Sequence, residues 1–277
     1  MRNWNMMRIY KLIILVLCLI SINLQAQEND SIEIIGDSLQ ETVVADSILT
    51  MNFAFKLANP YRFKSEQLII PVTLVGVGII GLESDWLKYQ NQEVRDELQE
   101  NIDKRVTIDD FSQYVPMAAV YGLNLWGIKG KHDFAERTII LATAYSIMAI
   151  TVNGLKMATK IERPDYSSHN SFPSGHTATA FMGAEFLRME YRDVSPWIGV
   201  AGYAVAAGTG FFRMYNNRHW LTDVLAGAGI GILSAKAAYW LYPAISRVLF
   251  RKRFQTNAFV APYISSHEKG LCCRITF

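Results

Sequence analysis

Apolar residues recur along this chain in six stretches, each long enough to form a helix of about four turns or more. They cover residues 68–82, 114–128, 138–157, 177–191, 197–212 and 221–245. None shows the long alternation of apolar and polar residues that is typical of a half-buried strand, and glycine and alanine are frequent in them. The pattern predicts an all-α protein built on six helices.

The two ends of the chain have different patterns. Residues 1–26 have the features of a secretory signal peptide: a positive start, an apolar run at 12–20 and a small residue, Ala26, at the expected cut. An uncleaved signal anchor is the alternative. Residues 27–67 are interpreted as a polar, acidic lead-in. Residues 68–249 then form the helical domain, with residues 114–245 as its core.

Residues 250–277 are interpreted as a C-terminal tail. The tail opens with Arg251–Arg253, a cluster of positive charge that the dipole of the preceding helix favours. Two short runs, at 258–264 and 271–277, have the composition of strands and predict a terminal hairpin.

The lengths of the apolar stretches bear on whether the helices cross a membrane. A span needs about 20 apolar residues, several stretches are nearer fifteen, and the mean hydropathy is only +0.12. Residues 138–155 and 221–245 are nevertheless apolar nearly all round. We therefore predict a membrane-embedded bundle, with a soluble or peripheral periplasmic domain as the alternative.

Positive charge between the stretches gives this bundle an orientation, because cytoplasmic loops carry an excess of lysine and arginine. The residues expected inside are Lys129, Lys131, Arg137, Arg188, Arg192 and Arg251–Arg253. Both candidate catalytic loops then face the periplasm. A cleaved signal followed by six spans would place the C-terminus outside, and this conflict disappears if 114–128 does not cross.

Composition excludes several classes of function. The formal net charge is +2, and no basic stripe with interleaved aromatic residues occurs, so nucleic acid is not an expected partner. The three cysteines provide neither a disulfide framework nor a zinc-like spacing.

Three short polar stretches stand beside the apolar ones. They are Lys156-x6-Arg163-Pro164, Pro173-Ser174-Gly175-His176 and Arg213-x5-His219-x3-Asp223. Each alone has an ordinary structural explanation as a solvated helix end, an N-cap or a surface pair. Their joint occurrence is much harder to explain in that way.

The stretches supply what binding of a transferred phosphoryl group needs, namely donors around its charged oxygens. The fixed cations are Lys156, Arg163 and Arg213. Ser174 is predicted to be the N-cap of the next helix, so that the N–H groups of Gly175 and His176 point at the anion. No carboxylate cluster suited to Mg²⁺ accompanies them, and we expect neither a metal nor a cofactor.

Two imidazoles complete the predicted site. His219 and Asp223 are four residues apart, which places them on one helix face, so Asp223 can accept the Nδ1 proton and leave Nε2 free to attack phosphorus. His176 would protonate the leaving oxygen and then activate water. His176 as nucleophile is the weaker assignment, because no carboxylate stands at a comparable spacing from it.

The three stretches together resemble the phosphatase motif of the type-2 phosphatidic acid phosphatase superfamily, Lys-x6-Arg-Pro, Pro-Ser-Gly-His and Ser-Arg-x5-His-x3-Asp. The resemblance covers residues 156–223, and the helices of about 114–245 are consistent with that family's six-helix core. It implies a metal-independent phosphatase with a histidine nucleophile. The matching positions are Lys156, Arg163, Ser174, Gly175, His176, Arg213, His219 and Asp223. Phe212 departs from the pattern, since the motif has serine before the arginine.

The function expected from this resemblance is hydrolysis of a lipid-linked phosphate monoester or pyrophosphate at the periplasmic face of a bacterial inner membrane. The substrates considered are phosphatidylglycerol phosphate, undecaprenyl pyrophosphate, phosphatidic acid and lipid A phosphate. The aromatic residues near the third stretch either meet the acyl portion or are ordinary membrane-belt or core residues; they are Phe211, Phe212, Tyr215 and Trp220.

Three other functions are the alternatives. They are a soluble periplasmic non-specific acid phosphatase, a vanadium-dependent haloperoxidase and a non-enzymatic membrane scaffold. The remaining histidines, His132, His169 and His267, are interpreted as solvated loop residues.

Overall fold

The computed structural model describes residues 65–100, 106–249, 257–264 and 269–276. The predicted signal peptide and all but the last residues of the predicted lead-in lie outside these ranges. The described helices are α1 (Glu66–Ile80), α2 (Asp85–Gln99), α3 (Ile108–Ser112), α4 (Val115–Leu125), α5 (Phe134–Thr159), α6 (Gly175–Tyr191), α7 (Pro196–Tyr215) and α8 (Leu221–Leu249).

Each of the six apolar stretches forms a helix, so the prediction of an all-α fold is confirmed. The structure adds two helices, α2 and α3, that the apolar pattern did not reveal because both are rich in polar residues. Local signals explain several helix starts. In α5 the Asp133 carboxylate accepts the Glu136 N–H at 2.8 Å, and the Glu136 side chain accepts the Asp133 N–H, which is a capping box.

Helix α6 is the centre of the bundle. All of its residues from Thr177 to Tyr191 are buried, and it packs against α4, α5 and α7. The apolar core includes Ala180, Phe181 and Ala184 of this helix. Several residues of α6 are small, which allows the neighbouring helices to approach it closely.

Gly227 of α8 makes one of these close approaches, at the residue before α6. A Cβ atom added to Gly227 would lie 2.5 Å from the carbonyl oxygen of Ser174, a distance that carbon and oxygen atoms do not tolerate. Only glycine therefore allows α8 to pass the residue before α6 at this distance.

Replacing Gly227 with alanine is expected to lower the free energy of unfolding by about 1–3 kcal/mol, because a packed backbone must move to admit the methyl group. Thermal unfolding of the purified protein in detergent measures the change. Gly154→Ala is the matched control, since a Cβ there has no neighbour within 4 Å. Equal melting temperatures for the two variants would contradict the close approach.

Within the part of the chain that the structure describes, two helices are long and apolar enough to cross a membrane, α5 and residues Leu221–Ser246 of α8. Helices α1 and α2 would make a third span if this pair, bent by 95°, counts as one. In the apolar window of α5 only 22% of the residues are buried, against 72% for α8. Exposed apolar side chains such as Ile150 and Met157 lie on α5. Contact of this apolar surface with lipid costs far less free energy than its contact with water.

Two arginines assigned to the inner membrane surface are buried instead. Arg137 donates to the carbonyl oxygens of Val120 and His132, and Arg188 forms a 2.6 Å ion pair with Glu185. Their charge is neutralised within the bundle, so neither can serve as a surface charge that orients the helices. The periodicity of the chain could not show this, because burial of arginine depends on a partner.

The interpretation of His132 as a solvated residue is wrong. Its Nδ1 lies 2.6 Å from the buried carboxylate of Glu190, which also accepts a hydrogen bond from the Tyr239 hydroxyl at 2.6 Å. His169, in contrast, is 70% exposed, which confirms its interpretation. His267 lies outside the described residues.

The C-terminal unit begins at Leu241 and contains the predicted hairpin. Strands β1 (Asn257–Ile264) and β2 (Lys269–Thr276) pair antiparallel, from Asn257 opposite Thr276 to Ile264 opposite Lys269. The prediction of a terminal hairpin is confirmed.

Candidate active site

The N-terminus of α6 lies against the start of α8. Ser174 is the N-cap residue, as predicted, and its N–H donates to the carbonyl oxygen of Asp223 at 3.0 Å. Its hydroxyl pairs with the Thr177 hydroxyl at 2.9 Å and makes no capping hydrogen bond to the backbone. The first helical residue is Gly175, where an added Cβ would meet only Val152, at 3.8 Å. The second and third motif stretches are thus joined through the backbone.

His219 precedes α8, which begins at Leu221, so the prediction that it shares a helix face with Asp223 is wrong. The two side chains nevertheless lie close together, although they do not form a simple pair. Their atoms Nδ1 and Oδ2 are 3.6 Å apart. The buried hydroxyl of Ser171 donates to the same Oδ2 at 2.5 Å and lies 3.5 Å from the imidazole Nδ1. Asp223 Oδ2 also accepts the Trp220 N–H at 3.0 Å. The carboxylate is therefore held by three groups, one of which, Ser171, sequence reasoning missed.

Burial lowers the pKa of His219 to about 4, although the nearby carboxylate of Asp223 acts in the opposite direction. The charges of Arg213 and Lys156 lower it further. The imidazole is consequently neutral at pH 7. A neutral ring whose Nδ1 faces a carboxylate carries its lone pair on Nε2.

Arg213 is buried and anchored by a residue from α3. Its guanidinium lies 2.6 Å from the carboxylate of Asp109, which is itself buried. Asn216 donates to the other oxygen of Asp109 at 2.9 Å. The Nε of Arg213 is buried and makes no hydrogen bond within the protein. One side of the guanidinium is therefore fixed, and the Nε–H stays available to an anion.

His176 also has a carboxylate partner, contrary to the sequence interpretation. Its Nε2 lies 3.1 Å from Oδ1 of Asp110, a residue 66 positions earlier in the chain. The same oxygen lies 3.5 Å from the Arg213 guanidinium. The lack of a carboxylate near His176 in the sequence therefore cannot be used to argue against His176 as the nucleophile. The two imidazoles differ instead in burial, since His219 is buried and His176 is partly exposed.

The first motif stretch folds back as a loop beside these groups. Lys156 donates to the carbonyl oxygens of Asn170 and Ser171. Arg218 binds Asp165 in this loop at 3.0 Å. Burial lowers the pKa of Arg163, and the charges of Arg213 and Arg218 add to this effect. The cations of the first and third stretches therefore lie close enough to repel one another. Cations this close together can bind the same anion.

A small cavity of about 10 Å³, the size of one water molecule, adjoins His219 on the side of α2. It is lined by Asn91, Val94, Arg95, Met214, Asn217, His219, Trp220 and Leu221. The Arg95 guanidinium lies 5.8 Å from the centre of the Tyr166 ring and 6.0 Å from that of Trp220. Asn91 accepts the Thr222 N–H at 3.2 Å and donates to the Thr222 hydroxyl. Helix α2 thus closes one side of the site.

The structure brings all eight predicted residues to this end of α6. It adds Ser171, Asp109, Asp110 and Arg95, which no motif identified. Phe212, which stands where the family motif has serine, packs against Phe211 and Tyr215, with ring centres 5.8 and 5.9 Å away. Among the residues that the structure describes, no group of three or more His, Cys, Asp or Glu residues could hold a metal ion.

Known proteins similar to this chain are phosphatases and a permease. A lipid A 1-phosphatase of Porphyromonas gingivalis is 43% identical over 145 residues, covering 52% of this chain and 32% of that protein. The bacitracin transport permease protein BcrC of Bacillus licheniformis is 33% identical over 82 residues, covering 30% and 38%. This chain therefore spans about a third of the length of each of these relatives.

Two solved structures overlap more loosely. The transmembrane PAP2-type phosphatidylglycerolphosphate phosphatase of Bacillus subtilis has a TM-score of 0.45 at 20% identity, covering 67% of this chain and 99% of that one. Aquifex aeolicus LpxE has a TM-score of 0.36 at 21% identity, covering 71% and 98%.

A family model matches the part of the chain that carries the motif stretches. Residues 137–247 match the model described as the PAP2 superfamily. These residues include all three motif stretches and the helices α5 to α8 that carry them. Over residues 137–247, this chain is therefore similar to the PAP2 superfamily.

Proposed function

We propose that this protein is a metal-independent phosphatase that hydrolyses a lipid-linked phosphate monoester or pyrophosphate through a phosphohistidine on His219. The observation that carries the proposal is a buried imidazole surrounded by fixed cations. His219 is neutral through burial and is held beside Asp223. The charges of Lys156 and Arg213 act directly on its ring.

In the first step, Nε2 of His219 attacks phosphorus and the bond from phosphorus to the ester oxygen breaks. The imidazole becomes cationic as the N–P bond forms, and the carboxylate of Asp223 stabilises that charge. Lys156, Arg163 and Arg213 neutralise the phosphoryl oxygens. His176 gives a proton to the departing oxygen, which leaves as an alcohol or, for a pyrophosphate, as a phosphate.

In the second step, His176 takes a proton from a water molecule that attacks the phosphohistidine. The N–P bond breaks, inorganic phosphate forms, and the electron pair returns to Nε2 of His219. His176 ends protonated, as it was before the first step. Both steps thus use one pair of imidazoles and need no metal ion.

An amphiphilic substrate is supported by the surroundings of the site. Lys156 lies in the last turn of α5, the helix whose apolar surface is largely exposed. Phe211, which is 41% exposed, lies two residues before Arg213. Among the candidate substrates, the phosphate of lipid A has the support of the relative that is 43% identical and acts as a lipid A 1-phosphatase. We propose the bacterial inner membrane as the location, with the site facing the periplasm.

Purified protein in detergent is expected to release phosphate from lipid A faster than from a soluble monoester such as p-nitrophenyl phosphate, because an acyl chain adds apolar contact with the exposed surface. The panel should include phosphatidylglycerol phosphate, undecaprenyl pyrophosphate and phosphatidic acid. Excess EDTA should leave the rate unchanged, since lysine and arginine neutralise the phosphate.

The EDTA experiment and the substrate panel test different parts of the proposal. A rate that falls to background with EDTA and returns with a divalent cation would overturn the metal-independent mechanism. Equal rates on lipid and soluble substrates, with activity extracted without detergent, would favour the soluble acid phosphatase instead.

A further inference from the structure

Helix α3 is a short segment outside the matched family region, and α7 holds it by several contacts. The Asp109 carboxylate accepts from Arg213 and Asn216 at 2.6 and 2.9 Å. Asn216 also exchanges two hydrogen bonds with the backbone of Val106, at 2.7 and 3.0 Å. At the other end of α3, the hydroxyls of Ser112 and Thr209 are 2.7 Å apart. The position of α3 is thereby fixed relative to the motif arginine.

This anchoring delivers the next residue, Asp110, to His176. Oδ1 of Asp110 lies 3.1 Å from Nε2 of His176 and 3.5 Å from the guanidinium of Arg213. Asp110 itself is 52% exposed, so the hydrophobic core does not require it. A half-exposed carboxylate held between two motif residues has a geometry suited to orienting them.

We infer that Asp110 is a positioning residue for His176, so that each imidazole of the site has its own carboxylate. The inference rests on the proposed function, in which His176 carries a proton between the leaving oxygen and water. With Nε2 turned to Asp110, the other ring nitrogen, Nδ1, is the atom that exchanges this proton with the substrate. Asp110 keeps its own charge throughout and stabilises the imidazolium before the proton leaves.

The electrostatics of His176 agree with this arrangement. Burial lowers the pKa of His176, and the nearby charge of Arg213 from α7 lowers it further. Asp110 and Asp109, both from α3, act in the opposite direction. Lys156 in the last turn of α5 and Arg163 in the following loop are the other cations proposed to bind the phosphate. Removing the charge of Asp110 must therefore lower the pKa of His176, because an anion favours the protonated ring.

The test compares Asp110→Asn with Asp110→Glu in the full chain. Asp110→Asn is expected to lower kcat by about 10- to 100-fold with little change in KM, because the proton-carrying ring loses its orientation. In Asp110→Asn, the limb of the kcat–pH profile that His176 controls should also move to lower pH. In Asp110→Glu, both the loss of kcat and the shift of this limb should be smaller. Asp193→Asn is the matched control, an exposed carboxylate just beyond the other end of α6.

A second measurement separates this inference from the proposed function. Histidine side-chain NMR, in a chain that carries His219→Gln, follows the titration of His176 without turnover. A lower titration midpoint in Asp110→Asn supports the pair, and an unchanged midpoint together with a kcat profile equal to that of Asp193→Asn overturns it. If the unmodified protein releases no phosphate from any lipid, the proposed function fails and the catalytic meaning of the pair fails with it, even where the midpoint moves.

Discussion

Replacing His219 with glutamine is expected to lower kcat for phosphate release by about 10⁴-fold or more, because the substitution removes the nucleophile on which the covalent step depends. Glutamine keeps a polar side chain of similar reach but cannot form a stable bond to phosphorus. Burial of a neutral residue at this position costs little, so the variant should fold. Phosphate release and trapping of the labelled phosphoenzyme under alkaline conditions measure the two expected losses.

The control for this variant is His169→Gln. His169 lies in the loop between the first two motif stretches, is 70% exposed and should tolerate the change with full activity. A His219→Gln protein that still forms labelled phosphoenzyme would show that another residue is the nucleophile. His176→Gln, which also has a carboxylate partner, would then be the variant to trap.

Replacing Arg213 with alanine is expected to damage both the reaction and the fold. Loss of a fixed cation at the phosphate should lower kcat/KM by about 10²- to 10³-fold. The same change leaves the buried carboxylate of Asp109 without its ion-pair partner, which costs about 3–5 kcal/mol of folding stability. Steady-state kinetics and thermal unfolding in detergent measure the two effects separately.

The double variant Arg213→Ala, Asp109→Asn distinguishes the two effects. Removing the unpaired charge should restore most of the lost stability while activity stays low, since the phosphate still lacks its cation. Recovery of activity along with stability would mean that Arg213 supports the fold and takes no part in binding the phosphate.

The helices that the sequence predicted are those whose residues are mostly apolar. Helix α6 was predictable because its residues are buried on every side. Helix α2 was not, because its fifteen residues are mostly polar and an apolar pattern does not register such a helix. Helix α3 has only five residues, too few for any periodicity to be recognised.

The residues of the candidate site also differ in whether the sequence could identify them. His219 and Asp223 were found together because they are only four residues apart in the chain, although His219 lies before the first residue of α8. Asp110 was not, because its meeting with His176 across 66 positions depends on the packing of α3. Ser171 was missed for a related reason, since it reaches Asp223 from a loop 52 residues away. Contacts of this kind belong to the tertiary structure, and one sequence carries no local signal for them.

The contacts of α2 and α3 also determine how small a working unit of this protein can be. The matched region, residues 137–247, contains every motif residue, yet the first turn of α8 takes a cap from Asn91 and Arg213 takes its counter-ion from Asp109. A transplant limited to the matched region would leave a buried guanidinium uncompensated and a helix start exposed. A portable piece of this protein must therefore include α2 and α3 together with the matched region.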